Sequence, residues 1–238
     1  MTRVLVLAVV LGACGGSSGG DEPDGAPMAD GHGSDAGGAD GGGADAGGAP
    51  TAAQLNGLLG SCDSIGGPYA TDDGGEETVS ICQLDGAVFW IADMDVDCDG
   101  MESPQCSIDT DLDFQDETAA TDSNGDPLDA ATLPYVVVPS PSSRWHYEDS
   151  GLDLGSVVAV IYHDHVEYGV IGDTGPVDII GESSYAMAAT LGIDPDPSTG
   201  GTDGPVAYIA FSNSSVNPIE DHDAATTLGI SRAQALLQ

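Results

Sequence analysis

The chain of 238 residues contains no lysine and only three arginines, against 40 aspartates and glutamates. So few cations cannot neutralise a row of phosphates, which excludes nucleic acid and anionic membrane surfaces as binding partners. No apolar run is long enough to span a bilayer as a helix; Val4–Leu11 (VLVLAVVL) is far short of the ~20 residues needed. No two cysteines have C-x-x-C spacing, which argues against zinc, and no G-x-S-x-G marks a serine nucleophile. The folded part shows no internal repeat.

What is present begins with a processing signal. Arg3 supplies a short positive region before the apolar run, and Leu11-Gly12-Ala13-Cys14 is similar to the lipobox of bacterial lipoproteins. Residues 1–14 are therefore expected to be a signal peptide, with Cys14 diacylated at the new N-terminus. Residues 15–50 are Gly, Ala, Ser and Asp with no aromatic side chain, a composition expected of a solvated tether. Residues 51–238 remain as one domain. The expected location is the cell envelope through the lipid anchor, or the medium after release; a monomer is expected.

Setting Cys14 aside leaves Cys62, Cys82, Cys98 and Cys106. Four cysteines in an exported chain suggest two disulfides, for which three pairings are open. Proximity in sequence favours Cys62–Cys82 and Cys98–Cys106.

Short β-rich runs at Val79–Leu84, Ala87–Asp93, Tyr135–Val138, Val157–Tyr162, Val166–Ile171 and Pro205–Ser212 are separated by turn-forming clusters. Val157–Tyr162 (VVAVIY) is apolar on both faces, as a central strand should be, and His163-Asp164-His165 then turns the chain back. Helices are expected at Ala52–Leu59, at Ser183–Leu191 before Gly192, and at Asp223–Leu237, where Gly229 is unfavourable. The fold class is mainly β (α+β), a small β-barrel-like core with a few peripheral helices.

Seven acids precede residue 51, so the domain holds 33 against Arg144 and Arg232, a net −31. A cationic partner fits that charge, as does a surface kept solvated in salt. In IADMDVDCDG (Ile91–Gly100) Asp93, Asp95 and Asp97 fall on alternate residues, hence on one face of a strand, with Met94 and Val96 turned to the core. Asp95-Val-Asp97-Cys-Asp99-Gly100 begins like a calcium loop. It then places Cys106 where a bidentate Glu is needed, and Pro104 interrupts it, so no metal is expected. Acids beside apolar rings would instead suit an amino sugar, the carboxylates meeting ammonium groups.

In YGVIGDTGPVDIIGESSYAM (Tyr168–Met187) Asp173 follows an apolar strand and Glu182 stands at the expected head of a helix. Glycoside hydrolysis needs two such fixed carboxyl groups, one to protonate the leaving oxygen and one to activate water. GDTGP at Gly172–Pro176 and IGESSYAMA at Ile180–Ala188 resemble the glycoside hydrolase family 75 chitosanases. FWIADMDVDCDG at Phe89–Gly100, LPYVVVP at Leu133–Pro139, VVAVIY, LGIDPDP at Leu191–Pro197 and PIEDH at Pro218–His222 are similar to further blocks of that family, in order. Ser183 departs from the family's Ala, a small change.

The resemblance implies endo-hydrolysis of β-1,4-linked glucosamine polymers with inversion, no cofactor, and chitosan as partner. It maps the two essential acids onto Asp173 and Glu182. Glu182 is assigned as acid and Asp173 as base, with Thr174 positioning water, although a helix start would favour ionised Glu182. Asp93, Asp95, Asp97 and Tyr185 join the expected substrate-binding set. Trp90, Trp145 and Tyr147 are candidate stacking platforms, with core packing at least as good a reading for Trp90; Arg144 is expected in an internal ion pair, and His163 and His165 at an exposed tip. His222 is expected either to orient a site carboxylate or to cap the last helix. The alternative is a non-catalytic acidic surface lipoprotein that binds calcium or a cationic polysaccharide.

Overall fold

Runs of β-branched residues form eight strands in the computed structural model, which describes residues 48–238. They are β1 (Ser64–Tyr69), β2 (Val79–Leu84), β3 (Ala87–Asp97), β4 (Tyr135–Pro139), β5 (Ser156–Tyr162), β6 (His165–Gly175), β7 (Glu182–Ser184) and β8 (Thr202–Ser215). The helices are α1 (Ala52–Asn56), α2 (Tyr185–Leu191) and α3 (His222–Leu236), and Tyr147–Ser150 forms one 3-10 turn. The expected signal peptide, Cys14 and the tether up to residue 47 lie outside the described residues. Among the described residues no helix is long and apolar enough to cross a membrane.

The sheet runs β1-β2-β3-β7-β4-β6-β5-β8, and β8 pairs back onto β3. Six strands therefore close into a barrel, with β1 and β2 extending from β3. Closure removes the free edges that an open sheet would expose. The expected barrel-like core is found, with five predicted strands longer than their apolar runs.

Each barrel strand is buried on both faces, and alternate residues feed two clusters. Phe89, Val137, Ala159, Ile209 and Phe211 belong to one, and Trp90, Val138, Val158, Val160 and Tyr208 to the other. Strands that must fill both faces need continuous apolar stretches, which is why VVAVIY is legible as central. The β5–β6 hairpin turns through His163 and Asp164, and His163 takes φ 54°, as the tight turn requires. Both expected disulfides form, Cys62–Cys82 and Cys98–Cys106, with Cα separations of 4.9 and 5.0 Å.

Three assignments need correction. β1 is rich in Gly with a Pro, so its sequence carries no strand signal; pairing with β2 holds it. The second helix begins at Tyr185, because the Ser184 hydroxyl caps it by accepting from Met187 N, and Glu182–Ser184 is strand. The last helix is capped by Asp221, not Asp223, and His222 is its first residue. The His222 ring meets Glu167 Oε1 at 2.9 Å and the Tyr168 carbonyl at 3.0 Å, so it neither caps the helix nor orients a site carboxylate.

Gly229 looks like a flaw in α3 but lets the helix lie directly on the Tyr168 ring of β6. Any β-carbon there would strike the ring. Gly229→Ala is thus expected to destabilise the fold by about 1–3 kcal/mol through overpacking, more than offsetting its ~1 kcal/mol gain in helix propensity. Chemical denaturation decides it; a stabilised variant would contradict the packing.

Candidate active site

The ends of four barrel strands and two loops bound a cleft of about 470 Å³. β3 supplies Asp95, Val96 and Asp97 and, just past its end, Asp99. β4 supplies Val137, β6 supplies Asp173, Thr174 and Gly175, and β7 supplies Glu182. One loop adds Asp111, Asp113 and Gln115, the other Pro197–Gly200. The Ser198 hydroxyl donates to the Thr110 carbonyl at 2.8 Å and joins the two loops.

Asp173 is buried and well supported. Its Oδ1 accepts from Ala119 N and Thr174 N, both at 2.7 Å. Burial raises its pKa above the ordinary value, while these two N–H groups pull it back. Opposite it, β7 wedges between β3 and β4. Glu182 lies beside Asp95 in a parallel pair, and Ser183 faces Val136 of β4. Glu182 has no hydrogen-bond donor among the described residues. Burial first, and then Asp95, Asp99 and Asp173, raise its pKa to about 7. Since β7 precedes the cap of α2, the helix dipole expected to favour ionised Glu182 does not act at a helix head.

The Glu182 carboxyl lies over Gly175: a β-carbon on that glycine would stand 2.8 Å from Oε2. Asp173 and Gly175 are two residues apart on β6, next to Val137 and Pro139 of β4. Side chains two apart share a strand face, so the Glu182 carboxyl lies over the same face of β6 that carries Asp173.

Asp99 accepts from Gln115 N at 2.6 Å and Nε2 at 3.0 Å, and its pKa rises to about 6, chiefly by burial. The sequence placed Asp99 only in the failed calcium loop, and Asp111, Asp113 and Gln115 carried no expectation. Asp99 belongs to the same aspartate run but follows the strand's end, and DTDLDF repeats the alternation without a strand around it.

Asp93 does not line the cleft. One oxygen each of Asp72, Asp93 and Asp95 lies within 4.8 Å of the others, an all-carboxylate set that suits a hard cation. Asp93 Oδ1 is buried without a donor, and burial followed by Asp95 and Asp72 raises its pKa to about 7.

The aromatic candidates are corrected. Trp90, Trp145 and Tyr147 are core residues, with Trp90 stacked on Tyr208 at 5.2 Å. Tyr185 packs against the core and is absent from the cleft wall. Apolar contact in the cleft comes instead from Val96, Val137, Pro176 and Pro197. Arg144 pairs with Glu77 at 2.8 Å and Arg232 donates to the Asn213 carbonyl at 2.7 Å, so neither reaches the cleft. His163 and His165 are exposed at the hairpin tip.

A closed barrel carrying two unlike carboxyl groups across a polar cleft has the layout of a glycoside hydrolase site. The chain belongs to the family described as "Fungal chitosanase of glycosyl hydrolase group 75", which it matches over residues 94–234. It is 32% identical over 143 residues to an Aspergillus oryzae protein named endo-chitosanase, covering 56% of this chain and 58% of that one. It is also 32% identical to endo-chitosanase B of that species over 151 residues (57% and 63%) and 32% identical to its endo-chitosanase C over 166 residues (64% and 41%). The chain thus spans between about two fifths and two thirds of these relatives' length.

Gly175→Ala tests the geometry of the pair. The added methyl should push the flexible end of Glu182 aside, with Val137 Cγ1 at 3.2 Å limiting its own retreat. The variant should melt within a few degrees of the parent, while any hydrolysis of soluble chitosan by the parent falls roughly 100-fold. Unchanged turnover of a soluble chitosan would place Glu182 elsewhere.

Proposed function

We propose that this chain is an endo-acting chitosanase that hydrolyses β-1,4 bonds between glucosamine units with inversion. One observation carries the reading: a buried and a half-buried carboxyl group face one cleft, one held by two N–H donors and the other by none. Glu182, without donors and among anions, holds its proton and serves as general acid to the leaving oxygen. Asp173, with two N–H groups on Oδ1, is the better stabilised anion and serves as general base through Oδ2. Thr174 at the cleft wall positions the attacking water. Inversion requires about 6.5–9.5 Å between the two carboxyl groups, room for that water.

Asp95, Asp99, Asp111 and Asp113 receive the protonated amines of the polymer, with Asp93 beside them. The domain's −31 draws a polycation toward the cleft, an attraction that weakens with salt. Two disulfides suit an oxidising, extracytoplasmic compartment. Lipidation of Cys14 would tether a monomeric domain to the envelope, and no cofactor is required.

The test is incubation of the full chain with soluble chitosan, following viscosity, reducing ends and the anomer first released. A steep viscosity drop with few new ends, appearing in the anomer opposite to the cleaved bond, is expected. Asp173→Asn and Glu182→Gln should each lose about 10²-fold or more in kcat with their melting temperatures kept. Unaltered viscosity with a folded parent would overturn the reading.

The pH profile follows from the same groups. Glu182 must be protonated, so kcat/KM should fall as pH rises through about 7. Asp173 must be ionised, so activity should also fall in acid, with that limb above the ordinary Asp value of about 4. A profile that keeps rising above pH 8 would rule out Glu182 as the acid.

The Asp72–Asp93–Asp95 cluster is the one observation favouring a second reading, a non-catalytic acidic protein that binds calcium or a cationic polysaccharide. Calcium raising the melting temperature of a chain without turnover would support it.

A further inference from the structure

Asp97 is a cleft carboxyl that the two-carboxyl mechanism leaves unused. It is half-buried at the end of β3, beside β7, which carries Glu182, and in the same cleft as Asp173. Its Oδ1 accepts from Asp99 N at 2.7 Å. Its Oδ2 faces the hydroxyl of Tyr135, a fully buried side chain on β4, at 3.3 Å. That hydroxyl also lies 2.9 Å from the carbonyl oxygen of Asp99.

A phenol has one proton. An ionised carboxylate is a far stronger acceptor than a peptide carbonyl and draws a hydroxyl to about 2.5–2.7 Å. Here the shorter contact is to the carbonyl, which can only accept. The Tyr135 proton therefore goes to Asp99, leaving Tyr135 Oη with a free lone pair toward Asp97. An ionised Asp97 would set two oxygens against each other without a proton.

We propose that Asp97 is a neutral carboxylic acid in the working enzyme, donating its Oδ2 proton to Tyr135, and that it acts as a positioning residue rather than as an amine-binding anion. The inference rests on the chitosanase reading for its functional part alone. The Asp97–Tyr135–Asp99 triangle ties the end of β3 to β4. Asp99 in turn anchors Gln115, so the triangle fixes the loop that brings Asp111 and Asp113 to the cleft.

The surroundings agree. Burial is the largest cause holding the proton on Asp97, opposed by the Asp99 N–H. Asp99 from its own chain end and Asp173 from β6, once ionised, add negative charge that favours the neutral form, and Glu182 from β7 does so only above about pH 7, where it loses its own proton. Tyr135 from β4 is likewise held protonated. No cation faces Asp97 from these elements.

Two readouts on the full chain test this. The first is kinetic, with soluble chitosan. Asp97→Ala should lose about 10²-fold in kcat with KM little changed, and Asp97→Asn, which keeps a donor in place of the acid, should recover most of that loss. An Asn variant as poor as the Ala variant, or one whose main defect is a raised KM, would show that the negative charge is used and would overturn the proposal.

The second needs no turnover. At pH 8 the infrared difference between parent and Asp97→Asn should contain the carbonyl stretch of a protonated carboxyl. Loss of carboxylate bands instead would overturn the assignment. Tyr135→Phe serves if the Asn variant folds poorly: without its acceptor, that stretch should disappear at a lower pH, and an unmoved transition would equally count against the proposal. A chain that proves inactive on chitosan but shows the protonated stretch would sink the activity and leave Asp97 as assigned.

Discussion

Carboxyl groups taken out of water side by side, with no cation among them, retain their protons, because each new negative charge is poorly solvated and repelled by the last. The cleft depends on that constraint. The chain has no lysine, and its two domain arginines are engaged elsewhere, one with Glu77 and one with a backbone carbonyl. Glu182, Asp97 and Asp99 consequently hold protons to higher pH than isolated acids would. Asp173 is distinguished by its two backbone donors. The acid and base of the proposed mechanism thus differ by local hydrogen bonding within one acidic pocket.

The barrel makes this arrangement by local means. β7 is only three residues long, yet it lies parallel to β3 and meets β4, which carries Glu182 to the strand that bears the aspartate run. The register of β6 shifts against β4 between Ile171 and Asp173, which turns Asp173 toward the cleft. Gly175 then keeps the strand face bare beneath the Glu182 carboxyl. Without a side chain to spare at these positions, the strand ends act as a rigid mount for two groups that must not move apart.

Much of the fold was legible because barrel strands must be apolar on both sides, and runs such as Val79–Leu84 and Val157–Tyr162 say so directly. The strands that were missed lack any such signal. β1 is held by its partner, and Glu182–Ser184 looks like a helix start because its serines are good capping residues; Ser184 does cap, one position before the helix begins. For the site, Asp95, Asp97, Asp173, Thr174 and Glu182 were legible and do meet in one cleft. Asp99, Asp111 and Asp113 come from turns and loops whose course no periodicity reports. Tyr185, Trp145 and Tyr147 were misplaced since composition cannot tell an aromatic platform from an aromatic core.

The most direct measurement is a carbon-13 titration of the aspartate and glutamate carboxyl groups in the free chain between pH 4 and 8. The account requires Glu182 to titrate near 7 and above Asp173, whose two N–H donors oppose the effect of burial. If Glu182 instead titrates near the ordinary carboxylate value of about 4, the cleft does not retain its protons and the division of acid and base between these residues fails.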